Sequence, residues 1–227
     1  MIKVLSYPVR VDDPGWPDNP MLSIEQFNSM DKGDVANTYT LHLFNHFGSH
    51  MDGPNHFNPC GIQLYQVPID KFVYQNVLLL DVARGKEELV QVSDILPHED
   101  AVKAADLILF RSHFSQYRES NPDLYAAHGC GISADLSKYL IEQCPKLNAI
   151  GMDWISLASY QHTDEGFLAH QYMLGMYHDR YILIIEDLNL KNIVQDDLKT
   201  VIALPLRVAG IDSGPCTVIA LAARLVP

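Results

Sequence analysis

The sequence predicts a mixed α/β fold in which strands outnumber helices. Two observations support this prediction: short aliphatic runs typical of buried strands recur along the chain, and only two segments have the pattern of amphipathic helices. A third observation concerns size. The 227 residues, 48% of them hydrophobic, are enough for one substantial core, so we expect residues 1–227 to form a single domain with room for an extended arm.

The predicted elements follow from local composition. Residues 1–9 begin as a short strand that Pro8 interrupts, and residues 38–44 are rich in Thr, Tyr, Leu and Phe, which favour strands. Residues 117–124 contain Asn, Pro and charged side chains and are predicted to be a mobile loop near the site, with a plain surface connection as the alternative. Further strands are predicted at residues 77–82, 107–110, 149–152, 181–185 and 201–204, and helices at 133–143 and 165–175.

Charge and composition restrict the partners and the location. The formal net charge is −12 and no basic cluster is visible, so we expect neither nucleic acid nor an anionic membrane as a partner. The N-terminus lacks the features of a signal peptide, and no apolar run is long enough to span a membrane, so a cytoplasmic location is expected. The four cysteines have no Cys-x2-Cys spacing and are expected to be free thiols.

Residues 42–57, HLFNHFGSHMDGPNHF, contain four of the ten histidines in the chain. Neutral imidazole is the commonest protein ligand for divalent transition metals, and the glycine and proline content argues against a helix here. Gly48 permits a tight turn that folds His50 back toward His46. In extended chain, residues two apart point the same way, so Asp52 can join both histidines on one ion. The segment therefore predicts a metal site.

Two histidines of this segment have other assignments. His56 lies near the predicted ligands, where it is either a further ligand or a proton-transfer group beside the metal. His42 alternates with two leucines inside the predicted strand, which favours a partly buried structural role. The alternative for the whole segment is a histidine-rich surface loop that binds no metal.

Residues 45–57 closely resemble the signature His-x-Gly-Thr-His-x-Asp-x-Pro-x-His-Phe of the metal-dependent cyclase and hydrolase family, which includes bacterial kynurenine formamidases and isatin hydrolases. Two positions depart from the signature. Ser49 replaces the usual Thr and keeps a hydroxyl that can hydrogen-bond a ligand, whereas Gly53 replaces the commoner Ala and is expected to cost only local rigidity. The resemblance extends along most of the chain, to Trp16-Pro17-Asp18, Gly131-Ile132-Ser133, Gly151-Met152-Asp153 with Ser156, Pro205 to Gly210, and Gly214-Pro215-Cys216.

The resemblance implies a second ligand pair, His170 and Glu186. Glu186 follows a strongly aliphatic strand, so its carboxylate is expected near the core, where it needs a cation or a donor. His170 lies on a predicted amphipathic helix and, without the resemblance, is equally a core histidine. The two residues are sixteen apart, about four more than the family leads us to expect. His178, within the extra residues, and His162 are therefore rival ligands.

The resemblance also implies the chemistry. His46, His50 and Asp52 would hold one divalent ion, and Asp52 would bridge to a second ion held by His170 and Glu186. A water shared by the two ions would lose its proton near neutral pH and attack an amide carbonyl. His56 would transfer the proton to the leaving nitrogen. Zinc is the expected metal, with manganese as the alternative, and either one or two ions would bind.

The implied activity is that of an arylformamidase in tryptophan catabolism, which converts N-formylkynurenine to kynurenine and formate. Trp16 would form an aromatic wall of the small-molecule substrate site, and Arg111 and His113 are further candidates for its lining. The family implies a swivelling β/β/α type of fold, in which a mixed sheet is partly curled into a barrel, and a homodimer. The alternatives are an isatin hydrolase, a cyclase-like enzyme acting on another small carbonyl compound, and a noncatalytic metal-holding protein.

Overall fold

The computed structural model describes residues 2–225, which form thirteen strands and six α-helices joined by turns and short 3₁₀ helices. The strands are β1 (Ile2–Val4), β2 (Ser23–Asn28), β3 (Thr38–His42), β4 (His50–Asp52), β5 (Val73–Tyr74), β6 (Val77–Asp81), β7 (Leu89–Val90), β8 (Leu107–Arg111), β9 (Gly131–Ile132), β10 (Ala149–Met152), β11 (Leu183–Glu186), β12 (Thr200–Pro205) and β13 (Ser213–Leu221). The helices are α1 (Val92–Ile95), α2 (Glu99–Ala104), α3 (Tyr117–Ser120), α4 (Pro122–Ala127), α5 (Ala134–Gln143) and α6 (Thr163–Met173).

Nine of these strands form one mixed sheet. Its order is β5-β12-β13-β4-β11-β10-β8-β6, with β1 paired to β13. The side from β11 to β6 is parallel and the side from β5 to β4 is antiparallel. The sheet is nearly closed into a barrel within a single domain, which confirms the predicted mixed α/β fold class.

Two apolar clusters cover the two faces of this sheet. On one face, α5 and α6 pack beside each other over residues such as Ile108, Ile150 and Ile184, which alternate with their neighbours along the strands. On the other face, Leu109, Leu183 and the central residues of β12 and β13 form the second cluster. Strands buried on both faces need aliphatic residues at nearly every position, and this is the pattern of the predicted strand segments.

The short strand β4 lies at the junction of the parallel and antiparallel sides, and its register positions the functional site. Glu186 of β11 pairs with His50, and Ile184 pairs with Asp52. On the other side, Ser213 of β13 pairs with Asp52. The pairing therefore brings the C-terminal strand and the end of β11 to the histidine-rich segment.

Most predicted elements are present, and several boundaries differ. The five central strands and both long helices lie within two residues of their predicted limits. The predicted loop at 117–124 is wrong, because α3 and the start of α4 occupy it and Asn121 caps α4 through the backbone N–H of Leu124. The N-terminal strand is confirmed as β1, although Met1 lies outside the described residues.

The strand at 38–44 is confirmed as β3, but its environment is not the expected one. Among the described residues it pairs only with β2, and the two form an exposed ribbon away from the main sheet. His42 is accordingly exposed, 3.8 Å from Glu25, so the prediction of a partly buried structural histidine is wrong.

Candidate metal centre

The loop before β4 turns back at Gly48. This residue has a φ of +67°, in the left-handed region that glycine adopts without strain. The turn brings the ring of His50 to 5.1 Å from the ring of His46, measured between centroids. The predicted folding of the segment at Gly48 is therefore confirmed.

Four buried side chains meet where β4, β11 and α6 approach one another. We call them the inner ligand group: His50, Asp52, His170 and Glu186. None is more than 3% exposed. Charged or titratable side chains are rarely buried to this extent unless they are paired or bind a metal ion.

Backbone carbonyl groups orient both imidazoles of the inner ligand group. Nδ1 of His50 donates to the carbonyl oxygen of Gly48 at 2.8 Å, and Nδ1 of His170 donates to that of Gly166 at 2.7 Å. A carbonyl oxygen only accepts, so the proton of each neutral ring lies on Nδ1 and Nε2 keeps its lone pair. Both Nε2 atoms face carboxylates: that of His50 lies 3.2 Å, and that of His170 3.7 Å, from oxygens of Glu186.

Asp52 is completely buried, yet neither of its carboxylate oxygens accepts a hydrogen bond. Oδ1 lies 3.0 Å from Nδ1 of His46 and 3.5 Å from Nε2 of His50, without the alignment of a hydrogen bond. Oδ2 lies 3.8 Å from Nε2 of His170. Nε2 of His50 is also without a hydrogen bond. Buried acceptors are rarely left unpaired, and imidazole nitrogens facing carboxylate oxygens are a donor set that suits a divalent cation.

Glu186 is held on one side by the segment after β10. Its Oε1 accepts hydrogen bonds from the backbone N–H of Leu157 at 2.6 Å and from the hydroxyl of Ser156 at 3.1 Å. Its Oε2 faces His50. These bonds set the orientation of the carboxylate, as the supporting hydrogen bonds around metal ligands commonly do.

The electrostatics of the inner ligand group are those of a charged cluster. Burial alone would raise the pKa of the Glu186 carboxyl, but His170 and His50 hold it well below its usual range. Burial opposes a charge on His50, but Glu186 and Asp52 outweigh this effect and raise its pKa. In the protein without a cation, a proton on His50 thus partly balances the buried carboxylates.

A second cluster lies nearer to solvent. We call it the outer histidine group: His46, His56 and Asp212. Oδ2 of Asp212 lies 3.0 Å from Nε2 of His46 and 2.7 Å from Nδ1 of His56. The two imidazole centroids are 4.1 Å apart. Asp212 was not predicted, because only the pairing of β13 with β4 brings it to residues more than 150 positions earlier.

Carboxylates also determine the ionisation of the outer histidine group. Burial lowers the pKa of His46, but Asp52 and Asp212 outweigh it and raise this pKa to about 10. Burial alone would raise the pKa of Asp212, but the two imidazoles hold it far below its usual range. Asp212 is therefore ionised at all pH values at which the protein would be assayed.

The four histidines of the two groups and Glu186 line one part of a cavity of about 240 Å³. Its remaining wall is largely aromatic, and Trp16 stands at its edge with Tyr160 packed against it at 5.4 Å between ring centroids. The aromatic side chains that line the cavity are Trp16, Phe44, Phe57 and Phe167. Trp16 thus lies where a wall of the substrate site was predicted.

A buried ion-pair network supports the Trp16 wall. Arg118, which is 2% exposed, donates to Asp187 at 2.8 Å and to Asp13 at 3.0 Å. Asp187 immediately follows Glu186, and Asp13 precedes Trp16 by three residues. The guanidinium therefore connects the wall of the cavity to the end of the strand that carries an inner ligand.

The rival ligands and pocket residues lie elsewhere. His162 and His178 are exposed, whereas His170 lies in the cluster. Arg111 and His113 both contact Asp81, at 2.5 Å and 3.0 Å, on a different part of the surface, so neither lines the cavity.

The two departures from the signature have specific consequences. The hydroxyl of Ser49 donates to the backbone carbonyl of Asp187 at 2.5 Å and accepts from the backbone N–H of Tyr7. It therefore joins two segments of the backbone and does not hydrogen-bond a proposed metal ligand. The expectation that Gly53 costs only rigidity is wrong. A Cβ there would lie 2.8 Å from the backbone oxygen of Asp212, and glycine is therefore required for the close approach of β13.

Two further sequence predictions concern the whole chain. All four cysteines are free, as predicted, and three of them are buried. Within residues 2–225, no helix has both the length and the apolar character needed to cross a membrane.

Comparison with known proteins gives consistent results. Residues 4–159, more than half of the chain, match the family model described as "Putative cyclase". Over 215 residues, the chain is 29% identical to the kynurenine formamidase of Erythrobacter litoralis, which covers 95% of this chain and 91% of that protein.

Solved structures share the fold at low sequence identity. Isatin hydrolase A from Labrenzia aggregata superimposes with a TM-score of 0.80 and 19% identity, covering 98% of this chain and 94% of that one. A protein described as a potential metal-dependent hydrolase with cyclase activity superimposes with a TM-score of 0.76 and 20% identity, covering 99% of both chains.

Proposed function

This chain belongs to the Cyclase family of metal-dependent hydrolases, and we propose that it hydrolyses the carbon–nitrogen bond of a small aromatic amide, with N-formylkynurenine as the specific substrate. One observation carries the proposal. Asp52 and His50 are buried with unpaired ligand atoms, and His50 lines a cavity with aromatic walls. A buried donor set of this kind beside an apolar pocket is the arrangement expected of a metal-dependent hydrolase acting on a small organic substrate.

The donor set fits one or two divalent ions. Two sets of three residues have ligand atoms within 4.8 Å of one another: His50, Asp52 and Glu186 form one, and His46, Asp52 and His56 form the other. Asp52 belongs to both, so we propose that it would help to hold either ion, with His170 completing the inner set and zinc as the preferred metal. A bound divalent ion polarises the amide carbonyl and lowers the pKa of water at the site.

The proton transfer is assigned to His56. Hydrolysis adds water across the C–N bond, so the amine must gain a proton as the bond breaks and the acid product keeps the oxygen. His56 lines the cavity and its Nδ1 contacts Asp212, which leaves its other nitrogen to receive a proton and pass it to the amine. Its side chain is about a quarter exposed, so it can exchange protons with solvent.

The aromatic wall is assigned to substrate orientation. Trp16, Phe57 and Phe167 offer flat apolar surfaces that bind an aryl ring and exclude water from the reacting bond. Arg118 joins Asp13, three residues before Trp16, to Asp187, the neighbour of Glu186, and this connection supports a defined orientation of the wall.

A second candidate substrate is a neutral cyclic amide such as isatin. Among the described residues that line the cavity, there is no lysine or arginine, and two are acidic. The amino-acid carboxylate of N-formylkynurenine would therefore meet no fixed cation except a metal ion or a protonated histidine. An uncharged aryl lactam avoids the free-energy cost of placing an unpaired carboxylate in the cavity.

The test is hydrolysis of N-formylkynurenine and of isatin by the purified protein, before and after chelation and after addition of zinc or manganese. Activity that chelation abolishes and metal restores supports the proposal, and the ratio of kcat/KM identifies the substrate. His178→Ala is a control for loss of an exposed histidine. If less than one metal ion binds per chain and neither substrate is hydrolysed, the chain is a noncatalytic member and the proposal is wrong.

We also propose that the protein is a homodimer joined through the β2–β3 ribbon. Ile24 is paired with Leu41 and Gln26 with Tyr39, so these side chains share one face, and the three apolar ones are exposed. An isolated two-stranded ribbon is only marginally stable in water, and a second copy of the chain would cover the apolar face. Light scattering should give twice the 25.5 kDa chain mass, and Leu41→Glu should reduce it to one chain.

A further inference from the structure

We propose that Asp212 is a positioning residue for the reaction, because it determines which nitrogen carries the proton in both His46 and His56. The inference deepens the proposed function and depends on it only for its kinetic test. Among the described residues that line the cavity are both histidines but not Asp212, so the carboxylate acts through the imidazoles and does not touch the substrate.

The geometry of one carboxylate oxygen carries the argument. Oδ2 of Asp212 contacts Nε2 of His46 at 3.0 Å and Nδ1 of His56 at 2.7 Å. Of the two contacts, that with His46 has the alignment of a hydrogen bond, and because a carboxylate only accepts, the proton of the neutral His46 ring lies on Nε2. At His56 the 2.7 Å separation favours a proton on Nδ1, because an unprotonated nitrogen would hold its lone pair against the negatively charged oxygen. In His46 the lone pair is then on Nδ1, the atom 3.0 Å from Asp52. In His56 it is on Nε2.

Because the same carboxylate leaves a different nitrogen unprotonated in each ring, the two histidines can have different roles. The free nitrogen of His46 faces the shared carboxylate of the inner ligand group, which is the position of a metal ligand. The free nitrogen of His56 is available to accept a proton. A histidine in water favours the opposite tautomer, with the proton on Nε2, and His56 could not then act as a base through that atom.

Three neighbours hold Asp212 in place. Its Oδ1 accepts from the side-chain amide of Asn45 at 2.9 Å, and its backbone oxygen accepts from the backbone N–H of Gly53 at 2.9 Å. Ser213, the next residue, pairs with Asp52 in the sheet and also contacts Nε2 of His46 at 2.8 Å. The carboxylate is thus attached to the strand that carries the ligands, and glycine at position 53 permits the approach.

A purely structural role is the competing explanation. Asp212 would then only fasten the start of β13 to the histidine-rich segment, and its loss would reduce stability without changing the proton position on His56. Two measurements separate the explanations, one of which needs no activity.

The first measurement is the tautomer of His56, read from long-range ¹H–¹⁵N correlations of the zinc-loaded protein across a pH series. The His56 signals are assigned as those missing in His56→Ala. We expect the neutral ring to carry its proton on Nδ1 in the parent protein and on Nε2 in Asp212→Asn, because an amide can donate to Nδ1. Asp197→Asn is the matched control: Asp197 is also a partly buried, paired carboxylate, 2.6 Å from Lys3, and is remote from the site. A proton on Nε2 in the parent, or no change in Asp212→Asn, overturns the proposal.

The second measurement is a double-mutant cycle on kcat at saturating metal. Asp212→Asn should lower kcat at least about 100-fold with little change in KM, as in enzymes whose catalytic histidine loses its carboxylate partner. In the His56→Ala background the same change should cost much less, because only the effect through His46 remains and saturating metal limits that effect. Equal losses in both backgrounds contradict the proposal even if the protein is active.

Gly53→Ala provides an independent variant that leaves the carboxylate intact. The new Cβ would overlap the backbone oxygen of Asp212, so β13 must move away from the two imidazoles. The His56 tautomer should then shift as it does in Asp212→Asn. If the parent has the predicted tautomer but hydrolyses neither test substrate, the proposed function fails while the role of Asp212 stands.

Discussion

The inner ligand group and the outer histidine group contain the same kinds of side chain, but they differ in whether the polar atoms of those side chains have partners within the protein. Inside, Asp52 and Nε2 of His50 are buried without a hydrogen-bond partner. Outside, His46 and His56 both contact Asp212, and their side chains are 15% and 24% exposed. Buried atoms that lack a protein partner need a cation, whereas partly exposed imidazoles paired with a carboxylate can take up and release protons.

One short segment therefore contributes residues to both the inner ligand group and the outer histidine group. His46, His50, Asp52 and His56 lie within eleven consecutive residues, yet His50 and Asp52 on β4 are buried whereas His46 and His56 remain partly exposed. The depth of each side chain beneath the surface, rather than its residue type, therefore distinguishes the buried ligands from His56, the proposed proton-transfer group.

The largest expected effect is in the inner ligand group. Asp52→Ala removes the carboxylate common to both sets of ligand atoms, so metal affinity should fall well beyond the 10–100-fold typical of supporting residues, and hydrolysis should be lost. Metal analysis after dialysis and the rate at saturating substrate test this. Asp197→Asn is the control. Full metal content in Asp52→Ala would show that the inner ligand group is not the metal site.

The outer histidine group should separate metal binding from rate. His56→Ala is expected to retain its metal and to lose at least about 100-fold in kcat, because a group that transfers a proton is removed. His162→Ala, which removes an exposed histidine on α6's N-terminal side, should leave both quantities unchanged. Retained activity in His56→Ala would contradict its assignment, and loss of metal would make it a ligand.

The stability of the metal-free protein should depend on pH through His46. Its pKa rises from 6.5 to about 10 on folding, so its protonation stabilises the folded state below the unfolded value, and this contribution disappears as the pH rises toward the folded value. The Tm of chelated protein should therefore fall between about pH 7 and about pH 10, by roughly 2–4 °C for each kcal/mol lost. Bound zinc replaces the proton and should weaken the dependence.

His46→Gln provides the comparison for that titration, because it removes the ionisable group and should flatten the Tm profile of the chelated protein. His178→Ala should keep the slope of the parent protein. Identical profiles for His46→Gln and the parent would show that other groups cause the pH dependence.

The smallest expected effect lies outside both groups. Trp16 forms a wall of the cavity and is neither a proposed ligand nor the proton-transfer group, so Trp16→Ala should raise KM about 3–10-fold and change kcat little. Trp16→Phe keeps an aromatic surface and should recover most of the affinity. A large loss of kcat in Trp16→Ala would instead place the indole in the reaction geometry.

Local patterns were enough for much of the fold and of the site. The aliphatic runs correctly predicted the five central strands, since a strand covered on both faces needs an apolar residue at nearly every position. The turn at Gly48 was also predictable, because histidines, glycine and aspartate at this spacing restrict the local chain path. The ribbon was not predictable as an exposed element, because the composition of β3 is that of a buried strand while its environment is solvent.

The sequence by itself determined the family, the mixed α/β class and the histidines and carboxylates proposed as ligands, because these depend on residue types at short spacings. Only the tertiary structure separated His170 from His162 and His178, since burial beside Asp52 is a property of packing. It alone placed Asp212 beside His46 and His56, because the register of β13 against β4 joins residues more than 150 positions apart. Contacts between distant segments arise from strand pairing, and no local pattern encodes that register.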